Sequence, residues 1–429
     1  MTSLSPRAPR RLAVLLALAA AVAGACSEKL DGGAACPALC PVTNPALIDT
    51  VIDAVALDST LAGFPAPGEA SSQLLALEPG PDTLDVRAVV RFDSLPNRYF
   101  PPGGGDSIAV STADSTVLSL RLDTARTRYA QPVTVEAYDV DTTAAVDTLP
   151  AALNALFRPG RRLGSTTLQP GTAVDSVRIR LSDSAFVAKA TGSRRLRVGL
   201  RLVSGASARV AFATAQGTST QGGRITFDPV RDTSYQPVLV SSASATPAVG
   251  QVAAGFRDYA FVAASARPAA GSDLVVGGVQ GQRVYLRFVV PPRLSDSTTI
   301  VRATLELVQR PARGVPATDS VTLRAQAVVA TDTVRDVRLA ANLIAAPGVL
   351  SLDSLRVSPA DSATRGLSLV ALVRAWRAFP PGTQRAVVLR GQLEGLQAGE
   401  LRFFSTEAAR AVRPRLRLSY IPRTDFGLP

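Results

Sequence analysis

Histidine is absent from the 429 residues. Its absence excludes a Ser-His-Asp triad, a Cys-His nucleophile pair and any imidazole metal site. Lysine is scarce: Lys29 and Lys189 are the only two, so the positive charge is almost all arginine. Methionine occurs once, at Met1, and tryptophan once, at Trp376. Ser-x-x-Lys and Gly-x-Ser-x-Gly nucleophile motifs are missing too. No catalytic residues, cofactor or metal centre are therefore expected.

Apolar material and basic charge are what the chain does have. Hydrophobic residues make up 46% and charged residues 19%, a balance that suits a folded chain rather than a disordered one. The length allows two or three domains with cores of their own. The net charge is +12. The arginines alternate with apolar residues along many segments instead of forming one block, so nucleic acid is not the expected partner. An anionic envelope glycan or lipid headgroup suits a broad positive face better. A solvated arginine face with no partner is simpler still.

Residues 1–25 read as a bacterial secretory signal. Arg7, Arg10 and Arg11 give the positive start, and Leu12 to Val22 is an uncharged apolar run. That run is shorter than the roughly 20 residues a spanning helix needs. It ends in Ala23-Gly24-Ala25-Cys26, which resembles the lipobox of bacterial lipoproteins, with Ala23 where Leu is usual. The resemblance implies that Cys26 is acylated and becomes the mature N-terminus. It also implies a place in the cell envelope, and Ser27 points to the outer membrane by the sorting rule of enteric bacteria. Two acyl chains anchor stably where one binds marginally. The alternative is an ordinary signal cut near Ala25, with Cys26 an unmodified thiol.

Residues 26–46 read as a flexible tether, rich in small residues and Pro. Within it lies Cys36-Pro-Ala-Leu-Cys40. Export places these cysteines in an oxidising compartment, so a small disulfide ring between Cys36 and Cys40 is expected, ahead of two free thiols. Two thiolates without His or a further Cys make a poor metal site.

From about residue 70 onward the pattern has period two. Arg178-Ile179-Arg180-Leu181, Arg195-Leu196-Arg197-Val198 and Arg415-Leu416-Arg417-Leu418 alternate strictly. Such runs place arginine in water and aliphatics in a core. The expected fold is all-β: two tandem antiparallel β-sandwiches of jelly-roll type after the signal and tether. The second half echoes the first at an offset near 190 residues. Arg87-Ala88-Val89-Val90-Arg91-Phe92 is echoed by Arg283-Val284-Tyr285-Leu286-Arg287-Phe288, and Arg224-Ile225-Thr226-Phe227 by Arg417-Leu418-Ser419-Tyr420. The first sandwich is expected over 47–230 and the second over 235–425. Tyr235 to Val240 is a candidate first strand of the second.

The second copy resembles the DNRLRE-type module, a β-sandwich of bacterial and archaeal surface proteins related to carbohydrate-binding modules. Three places carry the resemblance. Arg283 to Phe288, followed by Ile300 to Leu307, is similar to its opening. Leu367 to Trp376 matches its Val-x-x-Trp segment through Val373 and Trp376. Phe403-Phe404-Ser405-Thr406-Glu407 through Pro414 to Tyr420 is similar to its close. The match spans about residues 256–422. Some members of that family bind polysaccharide, which makes a glycan ligand one expectation, although fold analogy alone cannot assign it.

Individual candidates each have a plainer reading. Trp376 is an aromatic that could stack on a sugar. Leu369, Leu372, Val373 and Trp376 share helical spacing, however, so a core position is expected. Tyr99, Phe100, Tyr129 and Tyr138 are candidate surface aromatics. Pro96 to Asp106 reads as a loop between strands. Asp139 and Asp141, near Asp147, could hold calcium or simply be solvated acids in a turn. The functional expectation is a non-enzymatic envelope lipoprotein held to the membrane by its lipid, with a polysaccharide or an envelope protein as partner. A ligand-free structural spacer is the alternative, and a polysaccharide-active enzyme comes third.

Overall fold

The computed structural model describes residues 46–423 apart from 54, 64–69, 81–82, 102–103, 143–148, 173, 215–221, 230–237, 242–257, 268, 313–318, 329–352 and 380–381. The signal, Cys26, Cys36, Cys40 and Asp147 lie outside the described residues.

The fold is all-β and antiparallel, built as two sandwiches. In the N-terminal one, an eight-stranded sheet runs in the order Arg162–Leu168, Val133–Asp139, Leu196–Val203, Leu84–Phe92, Ser72–Glu78, Ala208–Ala213, Arg128–Tyr129, with Tyr259–Ser265 also paired to Leu84–Phe92. It faces a four-stranded sheet of Ser176–Arg180, Asp114–Arg121, Arg224–Asp228 and Val238–Ser241. Ala88, Val90, Val135 and Val198 from the first sheet share one apolar cluster with Leu118, Ile179, Ile225 and Phe227 from the second.

In the C-terminal sandwich, a six-stranded sheet runs Ile48–Ile52, Arg415–Pro422, Thr298–Arg310, Glu400–Phe403, Leu274–Gly277, with Thr364–Ser368 also paired to Thr298–Arg310. It faces a five-stranded sheet of Val55–Leu61, Arg283–Phe288, Ala386–Gly391, Val321–Ala327 and Ser354–Val357. Leu305, Leu367, Leu416 and Leu418 meet Val284, Leu286, Leu323 and Leu389 in a second, separate cluster. Each fully buried aliphatic side chain contributes about 1.5–3 kcal/mol.

Alternation explains the faces. In Ser176–Arg180, Val177 and Ile179 are buried while Arg178 and Arg180 are exposed, as period two requires. Leu416 and Leu418 are likewise buried beside the more exposed Arg415 and Arg417. Arg197 departs from the expectation that arginine faces water: it is 6% exposed. The outer face of the eight-stranded sheet is not wet. Val89, Tyr138, Phe157, Tyr259 and Phe261 form a further apolar cluster across it, and Arg87 stacks on Phe157 at 4.6 Å. Gly199 makes room for this cover: a Cβ there would lie 2.6 Å from the Phe157 ring.

The two sandwiches share a central strand order. Leu84–Phe92, Leu196–Val203 and Val133–Asp139 are adjacent in one, as Arg283–Phe288, Ala386–Gly391 and Val321–Ala327 are in the other. The outermost strands are exchanged. Ile48–Ile52 and Val55–Leu61 precede the N-terminal sandwich in the chain, yet pair with Arg415–Pro422 and Arg283–Phe288 of the C-terminal one. Val238–Ser241 and Tyr259–Ser265 precede the C-terminal sandwich, yet pair with Arg224–Asp228 and Leu84–Phe92 of the N-terminal one. The sequence boundary between 230 and 235 therefore does not coincide with the pairing, and Leu47–Pro429 clusters as one unit.

Polar locks select each arm's partner. Asp58 accepts from Thr406 N at 2.8 Å and Thr406 Oγ1 at 3.0 Å, and Asp53 takes the Arg410 guanidinium at 2.7 Å. On the other arm, Asp258 Oδ1 accepts from Arg91 N at 3.1 Å, and Asn154 Nδ2 donates to Ala263 O at 2.8 Å. Tyr259 begins that arm and is 3% exposed, so burial pushes its phenol up to about 12 despite Arg197 and Arg91 nearby. The unfolded phenol ionises near 10. Stability held below that pH is then lost as pH rises through about 12, because only the unfolded chain ionises freely in between. Alkaline unfolding monitored by circular dichroism should be shallower for Tyr259→Phe across that window. An unchanged slope would remove Tyr259 as a contributor.

Helices are few and short. Asp183–Thr191 is capped by Ser182, whose hydroxyl accepts from Ala185 N at 3.4 Å, with Asp183 in the first turn and Phe186 and Ala190 buried. Val370–Ala375 ends at Trp376, which is 1% exposed and packs 6.4 Å from Phe288. The sequence expectation of a core tryptophan holds.

Candidate functional site

A cleft of about 660 Å³ lies at the junction of the sandwiches. The N-terminal sandwich contributes Arg126, Arg128 and Arg209, and the C-terminal one Asp319, Arg356 and the turn carrying Leu393 and Leu396. Strand pairing sets these positions. Arg128–Tyr129 is a short edge strand against Ala208–Ala213, with Arg128 directly opposite Arg209. Arg356 lies on the other edge strand, Ser354–Val357, opposite Thr322.

The four arginines are not equally neutralised. Arg209 binds Asp319 at 2.8 Å and Glu78 at 2.7 Å. Burial opposes its charge, but the Glu78 hydrogen bond and the Asp319 pair outweigh that and raise its pKa. Arg126 pairs with Asp123. Arg128 donates to the Thr127 carbonyl at 2.8 Å and to that of Thr124 at 3.3 Å. Arg356 donates to Ser320 Oγ at 2.8 Å. Among the described residues neither Arg128 nor Arg356 has a carboxylate partner, and both are exposed. Asp319 and Glu78 neutralise Arg209 and Asp123 neutralises Arg126, so among the described residues Arg128 and Arg356 are the positive excess at the mouth.

A second cavity of about 510 Å³ adjoins the first at Arg128. Its walls include Thr127, Tyr129, Thr172 and Asp175. A third, of about 360 Å³, lies between Leu84 and Glu400.

The candidates read from sequence are placed as follows. Tyr138 is 2% exposed and donates to Glu136 Oε2 at 2.7 Å, so it is not a surface aromatic. Tyr99 is 7% exposed and belongs to the core, whereas Phe100 is 73% exposed. Tyr129 is half-buried and lines the second cavity. The Pro96 to Asp106 segment includes Arg98–Tyr99, which pairs with Ile108–Ala109. Asp139 and Asp141 are paired with cations of the chain itself. Lys189 bridges both at 3.1 Å, Arg161 reaches Asp139 at 3.3 Å and Arg195 reaches Asp141 at 2.8 Å, so cations already hold the carboxylates. Among the described residues no group of three metal-ligating side chains occurs. Nothing local in sequence marks Arg128, Arg209, Asp319 and Arg356 as neighbours; only the fold joins them.

No protein-family model and no curated protein matches the chain. Among solved structures, the VP2 subviral particle of infectious bursal disease virus aligns at 10% identity over 90% of this chain and 80% of that one, with a TM-score of 0.12. The T=1 particle derived from the same virus aligns at 10% identity over 90% and 77%, also with a TM-score of 0.12. Likenesses this slight carry no argument.

Proposed function

We propose that the protein is a non-enzymatic lipoprotein of the cell envelope, anchored through Cys26, whose paired sandwiches bind glycan in the junction cleft. The observation that carries this reading is the cleft itself. It has the volume of a ligand site, walls from both sandwiches, an apolar turn and two arginines without carboxylate partners among the described residues. The resemblance of residues 256–422 to modules related to carbohydrate-binding modules supports the same reading. Ala23-Gly24-Ala25-Cys26 supports the anchor, and a Cys36–Cys40 ring would stiffen the tether.

A bacterial host fed labelled palmitate should label the wild-type chain and not Cys26→Ser. The unlipidated Cys26→Ser chain should then bind discrete members of a glycan array. Equal palmitate label in both chains would remove the anchor. Silence across the array would remove the binding role and leave the spacer reading.

A further inference from the structure

We infer that the ligand is an acidic polysaccharide of uronic-acid type, bound as a chain that runs from the junction cleft past Arg128 into the Tyr129 cavity. This rests on the glycan-binding reading above and names the class of sugar. Four observations carry it.

First, the positive excess is local and two-sided. Arg128 and Arg356 come from different sandwiches and line the same cleft. A guanidinium presents a rigid fork that matches a carboxylate. Second, Arg128 stands opposite Arg209 in the ladder, and Glu78 and Asp319 already hold Arg209, so Arg128 is the guanidinium of that pair left to take an anion. Third, the two cavities share Arg128, so one elongated occupant can fill both. Fourth, the remaining lining suits a sugar better than a dense polyanion. Leu393, Leu396 and Tyr129 offer apolar surface to the C–H faces of rings, and Thr172 offers a hydroxyl. Asp175 and Asp319 accept from sugar hydroxyls but repel closely spaced phosphates or sulfates. One carboxylate per ring with hydroxyls between is the charge spacing such a wall accepts.

The test is titration calorimetry of the full unlipidated chain with oligogalacturonate and oligomannuronate of about six residues. Fully methyl-esterified oligogalacturonate, a neutral chain of the same sugar, and poly-glutamate are the comparisons. At least one free-acid sugar should bind, its ester at least about tenfold more weakly, and binding should weaken with salt. Arg128→Gln and Arg356→Gln should each cost about tenfold, as expected for loss of one charge-assisted contact. Both side chains are exposed, so neither change should disturb folding. Arg302→Gln removes an exposed arginine outside both cavities and should change nothing.

Equal binding of acid and ester would overturn the acid requirement while leaving glycan binding intact. Equal loss with Arg302→Gln would show diffuse attraction to a basic protein and overturn the site. Poly-glutamate binding as tightly as the free-acid sugars would make the occupant an acidic peptide. No uronate binding beside a neutral glycan hit on the array would overturn this inference alone, and no glycan hit of any kind would overturn the proposed function with it.

Discussion

Deleting Ile48–Leu61 will unfold the C-terminal sandwich and leave the N-terminal one standing. The deleted arm contributes an outer strand to both sheets of its partner: Ile52 sits opposite Leu416, and Leu57 opposite Arg287. Each ladder hydrogen bond is worth a net ~0.5–1.5 kcal/mol. Burial of Ile52 adds about 1.5–3 kcal/mol, and Asp58 also holds two groups of Thr406. Together these approach the whole stability of an ordinary domain, about 5–15 kcal/mol.

Hydrogen exchange is the measurement. Amides of Arg415–Pro422 and Arg283–Phe288 should lose protection in the deletion variant, while those of Leu196–Val203 and Val133–Asp139 keep theirs, because their partners remain. Uniform loss would mean that the two cores stand or fall together, and unchanged protection would remove the arm from the energetics. Residues 235–429 produced alone should fail to fold for the same reason. They lack the arm that completes them and carry one whose Tyr259 and Phe261 fit against Phe157 of the absent sandwich.

That exchange marks where the sequence stops being readable. Period two tells which face of a strand is wet, and Val177, Ile179, Leu416 and Leu418 are buried where the pattern puts them. Helical spacing likewise places Leu372, Val373 and Trp376 in the core. A short apolar run does not say which edge it will meet. That choice rests on side chains hundreds of positions away, such as Asp58 with Thr406. Arg197 and Tyr138 misled for a related reason: period two cannot show that a second layer of Phe157, Tyr259 and Phe261 will cover the outer face. The cleft was illegible altogether, because Arg128 and Arg356 sit on edge strands of different sandwiches. What sequence does convey is the surplus of arginine, without saying which arginines meet a carboxylate.

The junction itself should be most sensitive at Glu78. This carboxylate ends the strand Ser72–Glu78 and is 6% exposed. One oxygen takes Arg209 at 2.7 Å and the other Arg267 at 2.7 Å. Arg267 continues to the Ala398 carbonyl and Arg209 to Asp319, both in the C-terminal sandwich. Glu78 is therefore the shared acid between two guanidinia that each reach across. Glu78→Gln keeps the shape and removes the charge that both arginines were desolvated against. Breaking a buried network by deleting one partner costs about 3–5 kcal/mol, because uncompensated charge stays behind.

Denaturant unfolding should show that loss. Adding Arg267→Met to Glu78→Gln should recover part of it, since a buried apolar group costs less than an unpaired guanidinium. If the double variant is as unstable as the sum of the single changes, the charges act independently and the network is only a set of neighbours. If Glu78→Gln is neutral, the apolar contact of Leu74, Ala76 and Val86 with Ala398 holds the sandwiches together without it.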